Sequence, residues 1–183
     1  MNERIKLYLD FDGVILDTMN ELDSMITDLN IIDNEELLRD FYINVNWDKL
    51  LNYTKEINDS INNIKKLIDS NLYDIEILTH VNSEKEGNAK INYLSKVLPG
   101  VNVIITPKVI EKSDMVNPLN AILVDDYSKN LLSWKEKGGI AIKFSNKLDE
   151  RFITINNLYK LLEFQELFKV EINVKKRLLK NYI

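Results

Sequence analysis

The stretch Leu7-Tyr8-Leu9-Asp10-Phe11-Asp12-Gly13-Val14-Ile15-Leu16-Asp17-Thr18 decides how the rest of the chain is read. The apolar run IKLYL, residues 5–9, stops abruptly at Asp10-Phe11-Asp12-Gly13. A short apolar run closed by a polar turn fits a strand buried on both faces of a parallel sheet better than it fits a helix. Gly13 permits a tight turn and lets backbone N–H groups approach an anion closely. Asp10 and Asp12 then leave the sheet two positions apart. One carboxylate of such a pair can attack phosphorus while the other carries the proton to and from the leaving oxygen. Alone, the pair is equally an ordinary polar turn after a strand.

The same shape recurs along the chain. IEILT (75–79) runs into His80, VNVIIT (101–106) into Pro107, and AILVDD (121–126) ends in two acids; IAIKF (140–144) is a fifth candidate strand. Helical patterns lie between them: Ile57, Ile61, Ile64 and Ile68; Ala89, Tyr93, Leu94 and Val97; Leu131, Leu132 and Trp134. This alternation predicts a three-layer α/β fold built on a doubly wound parallel sheet. Asp17 to Glu56 breaks the rhythm with two helical patterns (Met19, Leu22, Met25, Ile26, Leu29; then Leu37, Leu38, Phe41) and no strand. A structureless loop of that length does not suit a compact domain. The segment 17–56 therefore reads as a small helical cap inserted after the first strand, with 1–16 and 57–183 forming the core. A helix is expected from Asn156 to Phe168, before a basic final stretch carrying Lys175, Lys176, Arg177 and Lys180. That stretch reads as a solvated helix face.

Composition narrows the chemistry. With 183 residues, no Cys and a single His, the chain has no thiol nucleophile, no disulfide and no two-histidine zinc motif. Catalysis is left to carboxylates, hydroxyls, Lys or that His. The net charge of −5 argues against a dedicated duplex-binding surface, so no nucleic-acid polymer is expected as partner. No apolar run spans a bilayer and the first residues do not read as a signal peptide, so a cytoplasmic location without a membrane partner is expected. The acid is concentrated: residues 14–75 carry 13 acids against five bases, whereas residues 76–183 carry 17 bases against 13 acids.

Open parallel sheets bind ligands beyond the carboxyl ends of their strands. Those ends hold Asp10 and Asp12, Thr79 and His80, and Asp125 and Asp126. Four carboxylates on one edge repel unless a cation sits among them, and hard oxygen donors suit Mg²⁺ shared with a substrate phosphate. At this point LYLDFDGVILDT resembles the first motif of the haloacid dehalogenase superfamily. Thr79 in EILTH, Lys112 in EKSDMV and the acidic pair in ILVDDYSKN follow in the order of its other motifs.

The resemblance implies a Rossmann-like core, an Mg²⁺ cofactor and a small phosphorylated substrate. It implies Asp10 as the nucleophile that forms an aspartyl-phosphate, and Asp12 as general acid and base with its carbonyl on the metal. Asp126 would be a direct metal ligand beside Asp10, and Asp125 would act through water or hydrogen bonds. Thr79 would bind the transferring phosphoryl group with backbone N–H groups near Gly13 and His80, and Lys112 would neutralise charge between phosphate and nucleophile. Lys108, four residues earlier, competes for that role, and KSDMV favours Lys112 because it reads as a helix start. His80 reads equally as a substrate contact or as an unremarkable neighbour.

Asp at position 12 favours phosphate chemistry over carbon–halogen cleavage within that superfamily. The size of the insert and the segment ILVDDYSKNLLSWKEKGGIAIKF look similar to 5'(3')-deoxyribonucleotidases, which implies a nucleoside monophosphate as substrate. VILDT looks equally like sugar-phosphate phosphatases and mutases, so a sugar phosphate or other small metabolite is the alternative. A non-catalytic phosphate-binding regulatory module is the alternative from another class. Phe41, Tyr42 and Trp47 of the insert could stack on a base, although at helical spacing they read first as core.

Overall fold

The computed structural model describes residues 4–180, with side-chain surroundings placed through residue 174. Six strands form one all-parallel sheet: β1 (Ile5–Leu9), β2 (Tyr73–Val81), β3 (Asn102–Pro107), β4 (Ile122–Asp125), β5 (Ile140–Phe144) and β6 (Ile153–Ile155). Their order is β3-β2-β1-β4-β5-β6. The chain builds outward from β1 through β2 to β3, then crosses back to lay β4 on the other side of β1. The winding therefore reverses between β1 and β4, and a crevice opens there at the carboxyl ends.

Alternation along β1 sorts the two faces. Leu7 and Leu9 are fully buried with Ile64 and Leu67 of α4 (Ser60–Asp69) and Leu94 of α5 (Glu84–Val97). Tyr8 points the other way, edge-on to Trp134 of α7 (Ser128–Glu136) with ring centroids 5.4 Å apart. Short α6 (Lys112–Met115) precedes β4. The Trp134 indole N–H donates to the Ala121 carbonyl at 3.1 Å. Gly139 follows because a Cβ there would come within 2.2 Å of that indole nitrogen.

Between β1 and β2 the chain makes α1 (Thr18–Asp28), α2 (Glu35–Asn44) and α3 (Trp47–Tyr53). Asn34 and Asn46 start α2 and α3 by accepting the Leu37 and Lys49 N–H groups, which relieves unpaired donors at the helix ends. The two ends of this segment lie side by side: Asp17 N–H donates to the Lys55 carbonyl at 2.9 Å and Ile57 N–H to the Ile15 carbonyl at 3.0 Å. α1 and α3 bury Leu22, Ile26, Trp47, Leu50 and Leu51, whereas α2 buries no side chain completely. Asn58 and Asp59 have left-handed backbone (φ of 48° and 58°), so α4 begins at Ser60 rather than near Ile57.

The C-terminal part differs from its sequence reading. The helix expected from Asn156 is delayed because Asn157 turns the chain, its side-chain oxygen accepting from Tyr159 N–H at 2.8 Å. Helical structure comes as α8 (Lys160–Glu163) and α9 (Gln165–Lys180), so it runs past Phe168, which is fully buried. The side chains of Lys175, Lys176, Arg177 and Lys180 lie outside the described residues. β6 escaped the sequence reading because three residues, ITI, are too short to show alternation. Among the described residues no helix is long and apolar enough to cross a membrane.

Tyr73 ties the last elements to the sheet by donating its buried hydroxyl to the Leu161 carbonyl at 2.5 Å. Tyr73→Phe strands that carbonyl. It is expected to cost about 1–2 kcal/mol, read as a lower urea midpoint at unchanged m-value.

Candidate functional site

The reversal between β1 and β4 brings their terminal acids together. Asp10 leaves β1 with its N–H bonded to the Val124 carbonyl at 2.9 Å, and Asp125 ends β4. Ligand oxygens of Asp10, Asp125 and Asp126 all lie within 4.8 Å of one another. Lys112, at the start of α6 and only 1% exposed, reaches between the first two. Its ammonium is 2.7 Å from Asp10 Oδ1 and 2.7 Å from Asp125 Oδ2. Lys108 makes no such bridge and lines the cavity wall instead.

Each carboxylate has a different set of partners. Asp125 is fully buried, and its two oxygens accept from Tyr127 N–H, Lys112 and the Asn130 side-chain amide at 2.7–2.9 Å. Asp10 Oδ1 accepts from Phe11 N–H and Lys112. Among the described residues, Asp10 Oδ2 and the Asp126 carboxylate accept no hydrogen bond. Burial pushes the Asp10 carboxyl up to about 8, helped by the charges of Asp125, Asp12 and Asp126 and opposed by Lys112. Burial and the Asp125 charge push Asp126 up to about 6. This donor set fits a divalent cation: Asp10 Oδ2 and the Asp126 carboxylate, neither taken by a hydrogen bond among the described residues, come together in a low-dielectric crevice, and their oxygens are hard. Asp10 and Asp126 would hold the ion, with Asp125 oriented by its three donors behind them.

Asp12 stands outside this cluster. Its Oδ1 accepts from the Thr18 hydroxyl at 2.6 Å and its Oδ2 from the Lys90 ammonium at 2.5 Å. Burial alone would raise its pKa, but the Lys90 charge and hydrogen bonds from Lys90 and Thr18 outweigh burial and hold Asp12 below the usual carboxylate range. Thr79 is not at a strand terminus, because β2 continues to Val81; it is fully buried with its hydroxyl 3.4 Å from Asp12 Oδ2. The His80 ring nitrogen Nε2 contacts the Ile110 carbonyl at 2.8 Å. Burial, with the nearby Lys112 and Lys108 charges, lowers its pKa.

Gly13 is a steric necessity. Its φ is +70°, and a Cβ there would come within 2.2 Å of Asp126 Oδ2. A cavity of about 380 Å³ opens above Asp10, Asp12 and Asp126. Met19, Leu22, Tyr42 and Trp47 from α1–α3 form one wall, and His80, Lys108 and Tyr127 another. Of the aromatic trio in the insert, Tyr42 and Trp47 reach the cavity while Phe41 packs on Tyr42 at 5.5 Å.

Lys90, Glu86, Thr18 and Asn130 escaped the sequence reading. Glu86 and Lys90 stand four apart on α5, a spacing shared by ordinary exposed helix pairs, yet they are only 2% and 0% exposed.

No family model and no curated protein matches the sequence. Solved structures do match the fold. A hydrolase from Pseudomonas syringae is 12% identical, with a TM-score of 0.61 over 89% of this chain and 98% of its own. A haloacid dehalogenase-superfamily hydrolase of subfamily IA, variant 1, from Geobacter sulfurreducens is 14% identical, with a TM-score of 0.58 over 88% and 100%. A D,D-heptose 1,7-bisphosphate phosphatase from B. bronchiseptica, crystallised with magnesium and phosphate, is 13% identical, with a TM-score of 0.55 over 87% and 96%. The chain thus has the α/β Rossmann-like fold of haloacid dehalogenase-superfamily hydrolases.

The raised carboxyls give a signed prediction. Without a cation, folded Asp10 and Asp126 keep protons that the unfolded chain releases near 3.8, so their contribution to stability falls as pH rises toward about 8. Depressed Asp12 contributes equally across that window. Mg²⁺ must displace those protons, so it should raise the melting temperature more at pH 8 than at pH 5. In Gly13→Ala, whose methyl displaces the Asp126 carboxylate, the Mg²⁺-induced rise should be lost at both.

Proposed function

We propose that the chain is an Mg²⁺-dependent phosphomonoester hydrolase working through an aspartyl-phosphate on Asp10. The observation that carries this reading is the contrast between two acids on one turn: Asp10 faces Lys112 and the acidic pair, whereas Asp12 is held apart by Lys90 and Thr18. Asp10 keeps Oδ2 free for attack beside Lys112, and Asp12, outside the acidic cluster but lining the same cavity, is placed to carry a proton.

In this mechanism Asp10 Oδ2 attacks phosphorus. Lys112, bonded to Asp10 Oδ1, offsets the negative charge that gathers as phosphoryl oxygens approach, because phosphoryl transfer depends chiefly on positioning and charge neutralisation. Backbone N–H groups of the turn at Gly13 and the Thr79 hydroxyl would orient those oxygens. Asp12, ionised at rest, would take the proton of a bound phosphate monoanion and give it to the departing oxygen, then take one from the water that cleaves the aspartyl-phosphate and regenerates Asp10. A bound Mg²⁺ on Asp10 and Asp126 supplies neutralising charge to substrate phosphate and nucleophile. Residues 17–56 would act as the cap, limiting water and selecting the leaving group through Met19, Leu22, Tyr42 and Trp47.

The substrate we favour is a nucleoside monophosphate, supported by a cavity of about 380 Å³ bearing Tyr42, Trp47 and Tyr127. Asp10→Asn removes the attacking charge. It should abolish Mg²⁺-dependent hydrolysis of p-nitrophenyl phosphate, and turnover unaffected by the change would overturn the assignment. On a panel of nucleoside and deoxynucleoside monophosphates against hexose phosphates, a nucleotide should show the highest kcat/KM. A hexose phosphate leading that panel would replace the substrate while leaving the chemistry intact.

A further inference from the structure

Lys90 is the largest polar side chain on α5 to be completely buried, and the mechanism above gives it no step. Its ammonium has four oxygen partners: Asp12 Oδ2 at 2.5 Å, Glu86 Oε1 at 2.7 Å, the His80 carbonyl at 3.0 Å and the Thr79 hydroxyl at 3.2 Å. Three of these are fixed to β2 or α5. Glu86 is itself anchored, its Oε2 accepting from Asn82 N–H at 2.8 Å where the chain passes from β2 to α5. Phe11 and Trp47 cover the ammonium with their rings, the centroids 5.4 and 5.3 Å away. The cation is thus held by a rigid frame and shielded from water before it meets Asp12.

A plain structural ion pair would satisfy Lys90 with Glu86 alone. Here the shortest of its contacts goes to Asp12, and it engages one oxygen only. Asp12 Oδ1 is left to the hydroxyl of Thr18 on α1, a neutral and fully buried partner, while Asp12 itself lines the cavity. Both bonds end on a carboxylate, but only the one to Oδ2 joins two ions, and Oδ2 also accepts from the Thr79 hydroxyl, so the two oxygens are not equivalent. Oδ2 is clamped and Oδ1 can exchange its partner.

We infer that Lys90, held by Glu86, is a positioning residue that fixes the Asp12 carboxylate by Oδ2 and presents Oδ1 to the leaving oxygen of the substrate. The inference rests on the phosphohydrolase reading, and it assigns the proton-carrying oxygen and the framework that aims it. Lys90 touches neither substrate nor nucleophile. Its effect passes through Asp12, which distinguishes it from Lys112 on the other side of the site.

Leaving-group dependence tests this. An alkyl phosphate such as glycerol 2-phosphate needs a proton on its departing oxygen, whereas p-nitrophenolate leaves without one. The kcat/KM value reports the step in which that group departs. In Lys90→Met, kcat/KM should fall about 100-fold or more for glycerol 2-phosphate, within the range of acid–base contributions, and less than about 10-fold for p-nitrophenyl phosphate. Lys90→Arg, which keeps the charge, should recover part of the lost discrimination. Because Lys90→Met leaves the buried Glu86 unpaired, Lys90→Met/Glu86→Gln carries the same comparison if the single variant does not fold. An equal fall for both substrates, or none, would overturn the positioning role while the phosphatase reading stands. Hydrolysis that survives in Asp10→Asn, or no hydrolysis by the unaltered chain, overturns both.

Discussion

Everything at the carboxyl edge of the sheet depends on one buried cation, Lys112, lying between Asp10 and Asp125. A doubly wound sheet that reverses beside its first strand brings the ends of β1 and β4 together, so acids placed there must meet. Charges taken out of water cost several kcal/mol each unless they are paired with good geometry. Lys112 reaches both carboxylates at 2.7 Å, and Asn130 and Tyr127 N–H complete Asp125. The remaining acid, on Asp126 and Asp10 Oδ2, accepts no hydrogen bond among the described residues. The site is left short of positive charge, and the proposed metal ion would make good that shortage.

A second cation divides the labour. Lys90 does for Asp12 what Lys112 does for Asp10, but with the opposite electrostatic outcome: Asp12 is held low while Asp10 is pushed up to about 8. Two acids two residues apart on one turn thus acquire distinct characters from helices on opposite sides of the winding reversal, α5 beyond β2 and α6 before β4. Trp47 of α3 lies on the Lys90 ammonium, so the inserted helices contribute to this balance as well as to the cavity wall.

The chain's arrangement was legible where physics acts locally. Strands β1 to β5 announce themselves as apolar runs ending in polar turns, and the acids at their ends follow from the rule that such sheets bind ligands there. Lys112 could be preferred over Lys108 because a helix start is readable. Lys90 was invisible, since its burial is decided by the packing of α5 against β2 and α3, and a lysine four residues after a glutamate looks the same on a solvated helix. β6 and the break between α8 and α9 were illegible for a similar reason. Their existence depends on β5 and Tyr73, far away in sequence, rather than on any periodicity of their own.

The central position of β1 has a consequence for how the molecule assembles. β1 pairs with no strand near it in sequence: Lys6 meets Asp74 across 68 positions, and Leu7 meets Ile122 further away still. Closing such loops costs entropy before any contact rewards it, and folds dominated by distant pairings fold slowly. The helices of the insert can form early from local contacts, whereas the pocket that holds the acids exists only after β4 has docked. Acquiring the site and completing the centre of the sheet are therefore the same event, so a ligand that bridges Asp10 and Asp126 would bind only chains in which β4 has docked on β1.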